Sequence, residues 1–159
     1  MFINLPRGFL RDPGHFLAFG LGSGCVSKAP GTFGTVMALL LYLPLQALPV
    51  WVQAIWLVIS FVLGVWLCER ASKALGVHDH GGIVWDEFVG YWLTMLLAPT
   101  GWVWLLYGFI LFRLFDIWKP FPIRLLDAKV SGGFGIMIDD VLAGVYAAVL
   151  LQATAWLIS

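Results

Sequence analysis

The sequence feature that most constrains the fold is an apolar run over residues 141–158, which carries no charge and directly follows two adjacent acids, Asp139 and Asp140. A run of this length covers most of the ~20 residues that a helix needs to cross a bilayer. Carboxylates beside hydrocarbon are costly unless they find a proton, a cation or water. Glycines within 132–138 would let a backbone approach a ligand before the helix begins. The pattern predicts a metal site at a membrane surface.

Composition places the whole chain in the membrane class. Of its 159 residues, 61% are hydrophobic and 11% are charged, whereas soluble domains have about 25% charged residues. The predicted fold class is therefore all-α, as one small integral membrane domain over residues 1–159. A net charge of zero argues against a nucleic-acid partner. Glycines interrupt the short apolar stretch after Arg7 and Arg11, so we expect no cleavable signal peptide.

Hydropathy predicts a bundle of about five membrane-embedded helices, some of them short or hairpin-like. The five apolar stretches cover residues 35–48, 50–67, 88–98, 102–112 and 141–158. The second and fifth approach the length of a full span. For the shorter stretches two alternatives stay open: polar flanks extend the helices into the headgroups, or the hairpins enter the bilayer without crossing it.

The charged residues indicate which side of the membrane carries the chemistry. Every Lys, Arg, Asp and Glu falls within residues 7–28, 69–87 or 113–140. If each apolar stretch reverses the chain, these three regions share one face, which the positive-inside rule assigns to the cytoplasm. The predicted division is listed in chain order: surface segment 1–34, helical hairpin 35–67, cytoplasmic loop 68–87, helical hairpin 88–119, cytoplasmic loop 120–140 and last membrane helix 141–158.

Two acidic pairs are predicted to meet on this face. Asp86 and Glu87 precede the third apolar helix, and Asp139 and Asp140 precede the fifth, so both pairs are expected at helix N-termini. Four carboxylates suit Mg²⁺, which takes one or two of them together with water and substrate phosphate. The alternative is that each pair only caps its helix. A His-x-His sequence at His78 to His80 is a weaker metal candidate because it lacks a third ligand at known spacing.

Basic residues follow the fourth helix on the same face. Arg113 and Asp116 are i,i+3 neighbours on a helix, and Lys119 lies about one turn further along. The functional hypothesis is a phosphate clamp, for which Arg offers a bidentate fork and Lys a point charge. The alternative is an interfacial ion pair with a snorkelling lysine. Lys28 and Thr32, near the first helix, are additional candidates for phosphate binding.

Four motifs together resemble the phosphatidylglycerophosphatase A family of bacteria. They cover residues 29–32, 77–90, 112–124 and 132–140, and the resemblance extends over nearly all of the chain after about residue 20. It implies a Mg²⁺-dependent, multi-pass lipid phosphatase of the inner membrane, which converts phosphatidylglycerophosphate to phosphatidylglycerol. The expected partners are this substrate and membrane lipid, with no obligate protein partner.

The expected mechanism assigns a role to each candidate residue. Asp86, Glu87, Asp139 and Asp140 hold Mg²⁺ near the phosphate monoester, and Mg²⁺ lowers the pKa of an attacking water. The expected phosphate-binding residues are Arg113, Lys119, Lys28 and Thr32. Asp116 is expected to orient Arg113, and Asp79 is the candidate proton acceptor.

Three other function classes are alternatives to hydrolysis. A lipid phosphotransferase would need a nucleotide-linked donor, and its expected Asp-Gly…Asp-x3-Asp signature is not in the sequence. A transporter would place acids within its spans. A structural membrane protein, or a lipid-binding protein without enzymatic activity, remains the third alternative.

Overall fold

The protein is all-helical. The computed structural model describes residue 3 and residues 5–158, and every regular element among them is a helix. Two short 3-10 turns, Phe9–Arg11 and Gly20–Cys25, flank the first helix. The α-helices are α1 Pro13–Ala18, α2 Pro30–Leu45, α3 Val50–Leu75, α4 Trp85–Met95, α5 Trp102–Trp118, α6 Ile123–Lys129 and α7 Gly132–Ile158. This confirms the all-α class, and each of the five predicted apolar stretches lies largely within a helix.

Helix α4 forms the centre of the bundle. It packs against α2, α3, α5 and α7, and all its residues except Leu93 are buried. Polar tips of its aromatic side chains donate hydrogen bonds to carbonyl groups of three neighbouring helices, which satisfies these buried donors. The bonds run from Trp85 Nε1 to Ser60 O (3.0 Å), from Trp92 Nε1 to Ala38 O (2.9 Å) and from Tyr91 OH to Leu105 O (3.0 Å). Helix α4 is therefore fixed on several sides.

Only two helices of the described part of the chain are long and apolar enough to cross a membrane. These are α3 and α7, and 22% of the apolar window of each is buried inside the protein. Their outer surfaces are therefore available to lipid. Helix α4, at ~1.5 Å per residue, is only about 16 Å long and lies in the interior. The structure thus confirms helices at the five predicted positions, but it does not confirm that five helices span the membrane.

The glycine-rich stretch before Asp139 differs from its prediction as a loop. Helix α7 begins at Gly132, so Asp139 and Asp140 lie two turns inside a helix rather than at its N-terminus. A Cβ atom added at Gly133 would lie 2.0 Å from the backbone oxygen of Val65 on α3. Here glycine is required for close helix packing, which overrides its low helix propensity.

The boundaries of both predicted cytoplasmic loops change for the same reason. The predicted loop 68–87 begins inside α3, which continues to Leu75, and the predicted loop 120–140 contains α6 and the first turns of α7. Glu69 on α3 accepts a hydrogen bond from the backbone N–H of Gly133 (2.5 Å), so that the end of α3 caps the start of α7. Tertiary packing, which local hydropathy does not report, extends both helices into polar sequence.

Helices α4 and α7 touch through their backbones. A Cβ atom at Gly144 would lie 2.5 Å from the backbone oxygen of Gly90, and one at Gly90 would lie 2.7 Å from the backbone oxygen of Asp140. Neither contact leaves room for a side chain. The two helix axes are therefore as close as their main chains allow.

Candidate active site

Three carboxylates from two helices form a buried cluster. Asp86 and Glu87 lie in the first turn of α4, and Asp140 lies on α7. One carboxylate oxygen of each residue falls within 4.8 Å of the others. Gly90 and Gly144 come one helical turn after Asp86 and Asp140, so the close backbone contact lies on the faces that carry these acids. The glycine contact is what brings the carboxylates together.

Buried oxygens in this region lack hydrogen-bond partners. These atoms are Asp86 Oδ1, Glu87 Oε2, Asp139 Oδ1 and Asp140 Oδ2. Buried polar atoms nearly always have a partner, and buried like charges repel strongly without a compensating cation. Unsatisfied carboxylate oxygens at this spacing are the donor set that a hard divalent cation prefers. The residues therefore fit a metal site, and the donors come chiefly from Asp86, Glu87 and Asp140.

Asp139 has a different partner from its neighbour Asp140. Its Oδ2 atom lies 2.6 Å from Lys119 Nζ, which also lies 3.0 Å from Asp127 Oδ1. Consecutive helical residues point about 100° apart, so the two adjacent acids cannot face the same group equally. The structure therefore does not bring the four predicted acids together as equivalent metal ligands. Asp86, Glu87 and Asp140 form the cluster, and Asp139 pairs with Lys119.

Lys119 is held in place at the end of α5. It adopts the left-handed conformation (φ 45°), and its backbone N–H donates to Phe115 O at 2.8 Å. Burial by itself lowers the pKa of Lys119, but the hydrogen bonds and charges of Asp139 and Asp127 outweigh this, and the pKa lies above its usual value. Lys119 is thus a cation throughout the neutral pH range.

Arg113 lies beside the acid cluster and has an unused hydrogen-bond donor. Its side chain is only 14% exposed, it forms an ion pair with Asp116, and its Nη1 atom lies 3.8 Å from Glu87 Oε1. The Nε atom is buried without a hydrogen-bond partner. The contact between Arg113 and Asp116 agrees with their predicted i,i+3 spacing. An unsatisfied guanidinium donor beside unsatisfied carboxylates suits a ligand that carries both phosphate oxygens and a metal.

Gly31 packs directly against Glu87 and Arg113, and the sequence analysis did not identify it as a site residue. A Cβ atom there would lie 2.2 Å from Glu87 Oε1 and 2.9 Å from Arg113 Nη1. A glycine directly after proline in the first turn of an apolar helix is the signal that could have indicated a close approach. Helix α2 therefore borders the site through its backbone.

Lys28 and Thr32 lie on either side of Gly31 in sequence, near the start of α2. Lys28 is exposed just before α2, and Thr32 is half-buried in its first turn. The backbone N–H of Thr32 donates to Ala29 O at 3.0 Å. The turn that opens α2 uses this donor internally. Binding of phosphate by Lys28 and Thr32 remains a prediction.

Asp79 lies in the loop before α4. Asp79 is exposed, yet protein atoms around its carboxyl group partly desolvate the group and raise its pKa. The positive charge of Lys119 lowers this pKa, whereas the negative charge of Asp127 raises it further. The neighbouring His80 accepts a hydrogen bond from the Gly82 N–H through Nδ1 (3.1 Å), as expected of a loop residue. Among the described residues, no histidine belongs to the group with metal-binding geometry.

Comparison with known proteins assigns the chain to a family. The family model described as phosphatidylglycerophosphatase A matches residues 16–155. The chain belongs to the phosphatidylglycerophosphatase A family. Every residue of the acid cluster and both clustered cations, Arg113 and Lys119, fall within the matched range. The resemblance based on four motifs is thereby confirmed.

Individual relatives support the same family. A phosphatidylglycerophosphatase A of Escherichia coli K12 is 46% identical over 89% of this chain and 83% of its own length, and one of Haemophilus influenzae is 49% identical over 91% and 90%. A relative from Bacteroides thetaiotaomicron, provisionally described as a phosphatidylinositol-3-phosphatase, is 38% identical over 87% and 91%. No solved structure matches.

Proposed function

We propose that this member of the phosphatidylglycerophosphatase A family hydrolyses the terminal phosphate monoester of phosphatidylglycerophosphate, giving phosphatidylglycerol and phosphate. The observation that carries the proposal is the buried cluster of Asp86, Glu87 and Asp140 beside the unsatisfied Arg113. The two relatives that bear the phosphatidylglycerophosphatase A name support the choice of substrate. Carboxylates and a guanidinium together are suited to a phosphate ester and a divalent cation.

Asp86, Glu87 and Asp140 would hold Mg²⁺, with Asp139 beside them and neutralised by Lys119. When bound, Mg²⁺ supplies Lewis-acid polarisation of a phosphoryl oxygen and lowers the pKa of a coordinated water. Because the four unsatisfied oxygens are buried, a cation there would also relieve repulsion among the acids. Metal binding would therefore stabilise the fold as well as support the reaction.

Arg113 would bind two phosphoryl oxygens through its planar fork and its free Nε donor. Asp116 pairs with the same Nη1 atom that lies near Glu87 and would orient the guanidinium. Such a donor is worth more in a buried site than in water, since the surrounding dielectric is low. Lys119 would add positive charge to the phosphoryl group, with Lys28 and the Thr32 hydroxyl at the entrance.

Asp79 is proposed as the proton acceptor. Its raised pKa brings this carboxylate closer to the range in which a general base works at neutral pH. Its position in the loop before α4 leaves it accessible to water. It can therefore exchange its proton with solvent between turnovers.

The setting we propose is the bacterial inner membrane, with the site on the cytoplasmic face. Helices α3 and α7 would lie in the bilayer, and the clustered charges would meet the headgroup region. A substrate whose phosphate already sits at that depth can react while its acyl chains stay in lipid.

The direct experiment measures phosphate release from phosphatidylglycerophosphate in detergent micelles, with Mg²⁺ or with a chelator. We expect activity only with Mg²⁺, together with an increase in Tm on adding Mg²⁺ that Asp140→Asn abolishes. Phosphatidylinositol 3-phosphate belongs in the substrate panel because of the Bacteroides relative. Equal activity with and without chelator would contradict the metal site, and lipid binding without phosphate release would favour the non-enzymatic alternative.

A further inference from the structure

A groove between the end of α5 and α6 contains an unpaired cation. It has a volume of about 710 Å³ and is lined by Trp118, Lys119, Pro120, Phe121, Arg124, Leu125 and Ala128. No acid is among these lining residues. Lys119 is engaged by Asp139 and Asp127, whereas Arg124 is exposed and has no ion-pair partner in the described part of the chain. Arg124 is therefore the cation of this groove that can receive an outside anion.

The groove shares one residue with the proposed reaction site and another with an apolar surface. Lys119 belongs both to the groove and to the ion pair with Asp139. Trp118 also lines a second groove of about 660 Å³ along the outer face of α5, together with Arg113 and four apolar residues. Around this junction Ile117 is 71% exposed and Phe121 is 80% exposed. An apolar, aromatic rim of this kind suits the headgroup level of a bilayer.

The proposed substrate carries a second anionic group, and this step rests on the proposed function. Phosphatidylglycerophosphate has a terminal monoester and, one glycerol unit away, a phosphodiester that joins the headgroup to diacylglycerol. With the monoester beside Arg113 and the acids, the diester must lie outside the cluster, toward the lipid. The groove lined by Arg124 offers a cation near Lys119 of the proposed site and near Trp118 of the apolar surface.

We infer that Arg124 binds the phosphodiester of the lipid and makes this groove a specificity site. It selects lipids that carry a diester in addition to the monoester that reacts. Phosphatidate carries only a monoester attached to diacylglycerol, so it cannot use this contact. Arg124 would thus act on recognition of the substrate and not on the reacting atoms.

The test compares Arg124→Gln with Lys129→Gln, which removes the same charge from an exposed residue of α6 outside the groove. We expect Arg124→Gln to lower kcat/KM for phosphatidylglycerophosphate by about tenfold, the value of one charge-assisted hydrogen bond. The decrease for phosphatidate should be several times smaller. Lys129→Gln should change neither rate by more than about twofold.

A binding measurement tests the groove independently of turnover. Short-chain phosphatidylglycerol, kept below its micellar concentration, retains the diester and lacks the monoester. In calorimetry, Arg124→Gln should weaken its binding by about tenfold, while the affinity for inorganic phosphate stays the same. Arg124→Lys should recover part of the loss because it restores the charge.

Two results would overturn the inference. The first is an equal loss of activity of Arg124→Gln on phosphatidylglycerophosphate and on phosphatidate, or an equal loss in Arg124→Gln and Lys129→Gln. Either result would indicate that the cations only attract an anionic surface in general. The second is unchanged binding of phosphatidylglycerol to Arg124→Gln. Absence of phosphate release by the wild type would instead contradict the proposed function, and the calorimetry would still decide the role of Arg124.

Discussion

The acids at the start of α4 and those inside α7 are held in different ways. Asp86 and Glu87 both belong to the cluster, and the nearest cation contact is that of Arg113 with Glu87 at 3.8 Å. On α7 the pair divides, because Asp140 joins the cluster while Asp139 binds Lys119 at 2.6 Å. The negative charge of Asp139 is therefore balanced by a lysine at close range, whereas the cluster of Asp86, Glu87 and Asp140 has more negative than positive charge. The three clustered acids are the ones whose geometry could hold a metal ion.

The largest expected effect comes from Asp140→Asn, which keeps the side-chain shape and removes one unbalanced charge. We expect kcat/KM to fall by about a thousandfold or more, since metal stabilisation of the transition state contributes several kcal/mol. In chelator the variant should melt no lower than the wild type because repulsion in the cluster is reduced. A variant that Mg²⁺ still stabilises fully would remove Asp140 from the metal site.

Arg113→Lys tests the guanidinium that faces the cluster. The ammonium keeps the charge but loses the planar fork and the Nε donor, so we expect about a hundredfold lower kcat/KM. The Mg²⁺ concentration for half-maximal activity should change little. Phosphate-release kinetics across a Mg²⁺ titration measure both quantities, and a large shift of the metal midpoint alone would mean that Arg113 shapes the metal site instead.

Asp139→Asn is the matched control for Asp140→Asn within the same pair. It breaks the ion pair with Lys119, and we expect about a tenfold loss of activity with a nearly unchanged Mg²⁺ midpoint. Because Asp127 still pairs with Lys119 in this variant, the lysine remains protonated, and the loss should be constant between about pH 6 and 9. Equal Mg²⁺ midpoint shifts in both variants would contradict the division of the pair.

The smallest expected effect is that of Gly31→Ala. The added methyl group would meet Glu87 Oε1, and this carboxylate must move away from the other acids. We expect a Mg²⁺ midpoint a few times higher and about 1–2 kcal/mol lower stability, as for a modest overpacking change. Denaturant unfolding and the Mg²⁺ titration test this, with Gly81→Ala as an exposed control, because a Cβ atom there would meet only Pro30 Cγ at 3.9 Å.

Most helices and the residue types of the site could be predicted from sequence. The hydropathy pattern located α2 to α5 and α7, and the i,i+3 spacing indicated the contact between Arg113 and Asp116. These features depend on local chemistry, which a single chain reports well. Roles in the reaction, including those of Asp79 and Lys28, remain predictions.

The partition of the acids could not be predicted because it depends on the starting point of α7. With α7 assumed to begin after the acids, Asp139 and Asp140 both lie at an N-terminus and are equivalent. With α7 beginning at Gly132, each has a fixed direction, and only Asp140 faces α4. That starting point follows from the contact of Gly133 with Val65 on α3, which is distant in sequence.

The contact between Gly90 and Gly144 has a consequence for the choice of ion. Where two helices meet through bare backbone, no side chain can repack to widen or narrow the gap, so the distance between their acids is set by the main chain. Ca²⁺ tolerates variable distances and many ligands, whereas Mg²⁺ needs short bonds in a nearly fixed geometry. If these acids hold a divalent cation, a rigid separation of this kind would favour the smaller ion, and discrimination against calcium would then come from glycines that touch no metal.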